Sequence, residues 1–238
     1  RIIKETQVIF SKAITQFATF FAFTVNIASA DVSGLAIGIS FSNNELDTTV
    51  TDDIDSNGTI NTTKALTDTV QAGSIFAELT LGGSSGPLAV TLGVDYIPVD
   101  ADLDKRSTTQ ATIKGSGTSS SSGTNSGKAT IDDHITFYIQ PGYFYNENTM
   151  VYATLGFSRA DITATWESVS STNTTKVQSM NGTKLGVGVK HVRDNGLFIK
   201  LDYSDTDYDK VSYTTTNSTL VTGDIDNQAI ALSIGKTF

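Results

Sequence analysis

Glu78, Asp95, Lys184, Lys190, Lys200 and Asp202 are three acids and three bases that share one side-chain phase of alternating segments. Brought inside a fold they would neutralise one another, because an enclosed charge is costly unless it is paired. Counted from the nearest tight-turn sequence, Glu78, Lys190 and Lys200 each stand about four or five residues along their strands, which puts them in one layer of a closed sheet. The expected arrangement is an ion-pair cluster of Glu78 with Lys200 and Lys190. His134, Tyr138, Gln140 and Tyr152 are expected to add hydrogen bonds. The chemistry is that of a structural plug, or else of a proton or ion path.

Other residues offer less. Asp53-Ile54-Asp55-Ser56-Asn57-Gly58 copies the opening of a calcium-binding loop, with Asp53, Asp55 and Asn57 as ligand candidates. The twelfth position, which should be a bidentate Glu, is Lys64. An acidic turn is the plainer reading, with weak calcium bridging as the remainder. His134 and His191 fall on different strands in opposite phases and have no nucleophile motif, phosphate loop or metal-ligand spacing nearby. Neither enzyme action nor a cofactor is expected. Five N-x-S/T sequons begin at Asn57, Asn61, Asn173, Asn181 and Asn217, as chance provides in a chain rich in Asn, Ser and Thr.

The elements that carry the six ionisable residues are strands. Leu35, Ile37, Ile39, Phe41; Val90, Leu92, Val94, Tyr96; Val151, Ala153, Leu155, Phe157; and Leu197, Ile199, Leu201, Tyr203 each alternate and end in an aromatic ring. Four more runs, from Ile75, Ile135, Leu185 and Ile230, bring the count to eight. Period-two alternation marks strands, since successive side chains leave opposite faces. The second face carries Gly, Ser, Thr and Ala with the six charges. Apolar outside and small or polar inside is the pattern of a lipid-embedded barrel.

Tight-turn sequences at 82–87, 146–149 and 193–196 alternate with longer polar connections at about 46–68, 99–130, 167–180 and 214–226. Three turns and four loops complete an up-and-down meander. The low-complexity stretch from Ser116 to Ser126 is expected to be mobile in solution. Each upward strand ends in Phe41, Tyr96, Phe157 or Tyr203, while Tyr143 and Tyr145 lie near the opposite end, so two interfacial girdles are expected.

Composition narrows the partners. The formal net charge of −9 argues against capture of nucleic acid, and the absence of cysteine excludes disulfides and thiolate chemistry. Acidic groups at Asp100, Asp102 and Asp104 and at Asp205, Asp207 and Asp209 could bridge through divalent ions to lipopolysaccharide, with Lys105, Arg106 and Arg159 as phosphate partners. Residues 1–30 have a basic start, an apolar middle rich in Phe, and Ala28-Ser29-Ala30. This reads as a secretory signal peptide cleaved after Ala30, followed by one barrel domain at 31–238.

The final segment, with Ile230, Leu232, Ile234 and the terminal Phe238, resembles the last strand of Gram-negative outer-membrane proteins, although Lys236 stands where a second aromatic is common. Residues 31–238 look like the small outer-membrane barrels that include opacity-type adhesins, the outer-membrane protein A and X barrels and porin-family proteins. That resemblance implies insertion by the barrel-assembly machinery, with the terminal strand as its signal. It also implies an outer-membrane location with long loops outside, contacting lipid, lipopolysaccharide and an external receptor in a structural or adhesin-like role. Two alternatives stand beside it. One is an exported lipocalin-like carrier with its aliphatic face turned inward around a small hydrophobic ligand. The other is a narrow ion-conducting pore.

Overall fold

The computed structural model describes residues 33–53, 57–83, 86–103, 106–115, 117–167, 174–214 and 220–238. The signal segment, Ala30 and Asp55 lie outside them. In chain order the strands are β1 (Gly34–Asp53), β2 (Thr62–Gly82), β3 (Leu88–Ile97), β4 (Ala101–Asp102), β5 (Arg106–Gly115), β6 (Gly117–Asn146), β7 (Thr149–Glu167), β8 (Thr174–Val192), β9 (Leu197–Tyr208), β10 (Val211–Thr214) and β11 (Leu220–Thr237). All pairings are antiparallel. β4 and β5 continue the β3 stave along β6, and β10 continues the β9 stave along β11. The result is eight staves, closed into a ring by β1 against β11 from Ala36↔Thr237 to Asp53↔Leu220.

The aliphatic phase faces outward. Leu92, Leu155 and Leu201 are 47%, 50% and 51% exposed, whereas Glu78 and Lys200 are buried. A carrier with an inward aliphatic face has the reverse arrangement, so this part of the barrel is not built as one.

The long polar connections turn out to be mostly strand. β1 runs to Asp53, β2 resumes at Thr62, and Gly117–Ser126, expected to be mobile, pairs with β5 as a hairpin arm. Thr-rich segments suit a pleated surface, and pairing satisfies their backbone groups. A 20-residue stave such as β1, rising about 3.3 Å per residue at a tilt of about 40°, stands on the order of 50 Å tall, about twice the apolar band of a membrane barrel.

Within one stave the pleat phase persists while its chemistry inverts. In β1 the outward residues pass from Leu35, Ile37, Ile39 and Phe41 to Asn43, Glu45, Asp47 and Thr49. The inward ones pass from Ala36, Gly38, Ser40 and Ser42 to Leu46 and Val50. Leu46, Leu103, Ala160, Ile162, Met180, Tyr208 and Ile225 form an interior apolar cluster above the outer belt. The barrel therefore has two storeys. The lower one is greasy outside and holds its buried charges inside among aromatic and apolar side chains such as Phe76, Phe198 and Met150, and the upper one is polar outside with an apolar cluster within. β6 joins the upper cluster by a change of phase: the register shifts between Asp132 and Ile135, and Asp133 takes a positive φ of 47°.

Candidate functional site

The bore of the lower storey is built from registered pairs of glycine and an aromatic ring. Gly38 stands opposite Phe76, Gly93 opposite Tyr138, Gly188 opposite Tyr152, Gly235 opposite Phe198 and, higher up, Gly182 opposite Tyr208. At each glycine a methyl group would collide with the ring of its partner. The bare backbone lets the ring lie flat against the wall, a known way to shield glycine in a sheet. These pairs depend on register, and only the Gly and aromatic content of the inner face was visible in the sequence.

Against these rings sits Glu78. Lys190 Nζ donates to its Oε1, and Lys200 Nζ donates to its Oε2 at 2.9 Å. Tyr138 OH donates to Oε2 at 3.3 Å. Lys190 Nζ also lies 4.3 Å from the Phe198 ring centre, and Lys200 Nζ lies 5.2 Å from the rings of Phe76 and Tyr152. Cation–π contact supplements the one carboxylate that two ammonium groups share. Gln140 donates to Thr154 at 3.0 Å, and two hydroxyl pairs, Thr80 with Thr91 and Thr136 with Ser158, tie neighbouring staves together.

The other three expected members stand higher. Asp95 accepts from Ser74 Oγ at 2.6 Å, and Asp202 accepts from Tyr152 OH at 2.6 Å. Lys184 lines a cavity of about 210 Å³ together with Asp95, His134, Asp202 and Tyr208. The six residues thus form a tight Glu78 triad and a looser layer above it. His134 was expected to join the triad. Its Nε2 instead pairs with Tyr208 OH at 2.7 Å, because it sits at the top of the polar bore, under the apolar cluster. His191 bonds Thr149 through Nδ1 on the exposed outer face.

On the outside, Phe41, Phe157, Tyr203 and Tyr143 are exposed, and Tyr96 is partly so. Tyr145 projects furthest, at 79% exposed, beside the tight turn. Ile230, Leu232 and Ile234 are exposed on β11, and the Phe238 amide donates to Leu35 O at 2.8 Å. Lys236, at the position where the resemblance calls for an aromatic, lies with its Nζ 5.7 Å from the Phe238 ring.

The calcium-like sequence forms a self-capped turn as far as it is described. Asp53 accepts the amides of Asn57 at 3.1 Å and Gly58 at 2.7 Å, and Asn57 Oδ1 accepts the amide of Thr59. Elsewhere acids crowd the outer surface above the belt. The side chains of Asp132, Asp133 and Asp161 come close to one another, and Asp161 accepts from Ser179. Burial, then the charges of Asp207, Asp224, Asp205 and Asp47, hold the Asp226 carboxyl above its usual range.

No protein-family model and no curated protein matches the sequence. Solved structures do. The outer-membrane protease OmpT of Escherichia coli aligns at TM-score 0.51 and 8% identity, covering 91% of this chain and 99% of that one. Ail, the attachment invasion locus protein of Yersinia pestis, solved with the heparin analogue sucrose octasulfate, aligns at TM-score 0.38 and 11% identity over 84% of this chain and 99% of its own. Neisserial surface protein A aligns at TM-score 0.35 and 9% identity, over 85% and 99%. At these identities the likeness to the protease speaks for the fold and for nothing catalytic. The chain has the fold of Gram-negative outer-membrane β-barrels.

Proposed function

We propose that this chain works in the outer membrane as a surface-exposed barrel, with the tight turns on the periplasmic side and the upper storey outside. The observation that carries the reading is the belt of exposed aliphatic and aromatic side chains around a closed ring that buries Glu78, Lys190 and Lys200. Only a solvent of hydrocarbon makes that distribution favourable, because water would expel the belt and reclaim the charges. The triad and its rings act as a plug. A general pore is disfavoured, since eight strands leave little more than the room that side chains fill.

The task assigned to the upper storey is contact with the exterior, in a structural or adhesin-like role. Its support is the height of the staves above the belt and their outward Thr, Asn, Asp and Glu, which present a hydrated wall to partners. Insertion by the barrel-assembly machinery, with Ile230, Leu232, Ile234 and Phe238 as the signal, and contact with lipopolysaccharide belong to the same proposal.

Fractionation of a Gram-negative host expressing the chain tests it. The protein should require detergent for release and should migrate faster on a gel unboiled than boiled. Recovery in the soluble periplasmic fraction would overturn the reading. Pull-down of host-surface material by the intact protein, set against a variant lacking residues 107–126, tests the surface role.

A further inference from the structure

Above the belt the barrel encloses a second chamber, distinct from the charged bore. Its cavity of about 170 Å³ has Val50, Leu66, Ile162, Ala164, Val221 and Ile225 along one part of its wall, and Lys64, Asp68, Lys128, Lys176 and Gln178 along another. Leu46 and Tyr208, which line the lower cavity with Asp95, Lys184 and Asp202, belong to one apolar cluster with the Leu103, Ile162 and Ile225 of the upper one. Thr48 lies seven residues beyond Phe41 on β1, on the order of 18 Å higher at about 3.3 Å per residue and a tilt of about 40°. A cavity of roughly 150 Å³ has room for one benzene-sized molecule.

The wall is not uniformly apolar. Thr48 Oγ1 and Asp52 Oδ1 line this chamber, are shielded from solvent and have no hydrogen-bond partner among the described residues. The second Asp52 oxygen is taken, accepting from Thr62 Oγ1 at 2.9 Å. Buried acceptors without donors are costly, and a fold that retains them leaves a place for a donor to arrive. Burial also holds the Asp52 carboxyl above its usual range, against the opposing pull of Thr62 and Lys64.

We propose that the upper chamber is a binding site for one small molecule with a single-ring apolar body and one O–H or N–H donor, the ring lying among Val50, Ile162, Val221 and Ile225 and the donor reaching Asp52 Oδ1. The size of the cavity selects the ring, and the unpaired oxygens select the donor. The site is reached from the exterior side and does not require the bore to conduct.

The test uses amide NMR spectra of the refolded full chain in micelles at fixed detergent, titrated with p-cresol and with p-xylene, in which a methyl group replaces the hydroxyl. With p-cresol, saturable shifts are expected at residues 48–52, 211–213 and 221–225, with p-xylene at least tenfold weaker. Ala164→Leu, which fills the chamber, should abolish the saturable shifts while leaving the barrel folded by heat-modifiable migration. Asp52→Leu should bring the two probes to similar affinity. Should Ala164→Leu fail to fold, Val221→Phe serves as a second filling variant. Absence of saturable shifts, their persistence in a folded filled variant, or equal binding of the two probes by the unaltered chain overturns the proposal.

Discussion

Ile131 and Ile135 lie four residues apart on β6 and point to opposite faces of the barrel. Ile135 pairs with Tyr96 and Arg159 in the outward phase, whereas Ile131 pairs with Ala101 and Ile162 in the inward one. In a regular strand they would share a face. The irregularity at Asp133 absorbs one residue and turns Ile131 into the upper cluster. Asp133→Gly should preserve the arrangement and gain up to about 1 kcal/mol, since glycine carries no penalty at positive φ. Inserting one further residue beside Asp133 should throw Ile131 and Ala129 outward and lower the urea midpoint, whereas deleting residue 133 should leave a regular strand with Ile131 still paired to Ile162 on the inner face. An unchanged midpoint for the insertion would mean that the phase change is immaterial.

Glu78 is the one carboxylate between two buried ammonium groups. In Glu78→Gln, Lys190 and Lys200 lose the charge that compensates their burial, and the loss should be about 3–5 kcal/mol. Urea unfolding in lipid vesicles measures it, and Glu78→Gln combined with Lys190→Met should recover part of the loss. A proposed plug loses stability whether or not its conductance rises. A residue of an ion path alone would change conductance and leave the midpoint in place.

How far these features could be read from residues depends on periodicity. The eight outward runs were legible because aliphatic residues alternate without interruption, and the level shared by Glu78, Lys190 and Lys200 followed from counting along such strands. The upper storey was not legible in the same way. Leu46, Met180, Val221 and Ile225 are scattered through Thr, Asn, Asp and Gly, residues that also make loops, and in β6 the shift at Asp133 breaks the alternation. Leu46, Thr48 and Val50 did keep the inward phase of β1, a signal that could have extended the strand. The partnership of Gly93 with Tyr138, and the move of His134 from the triad to Tyr208, required register between strands, which one sequence does not contain.

Gly93 and Tyr138 offer a direct check of that register. Gly93→Ala puts a methyl into the ring and should cost about 1–3 kcal/mol by overpacking. In Tyr138→Ala the same substitution should become nearly neutral. A double-mutant cycle on urea unfolding reads the coupling, and additive effects would show that the two residues do not meet.

Asp52 gives a pH signature above the belt. Its folded-state carboxyl is held above the value it has in the unfolded chain, so the folded state takes up its proton more readily. The contribution to stability therefore rises as pH falls through that raised value and is unfavourable at neutral pH. Asp52→Asn should be more stable than the unaltered chain at pH 7, and its advantage should vanish once the carboxyl is protonated. An advantage that grows on acidification would contradict the sign.

The orientation of the belt is tested most directly by lipid contact. With no cysteine in the chain, single labels placed at Leu92→Cys, Leu155→Cys and Leu201→Cys report on those positions alone. In vesicles of lipids brominated along the acyl chain, fluorophores at all three should be strongly quenched, and a fluorophore at Glu45→Cys, on the outward phase above the belt, should not. Unquenched labels at the three leucine positions, in protein whose unboiled migration shows it folded, would contradict the account.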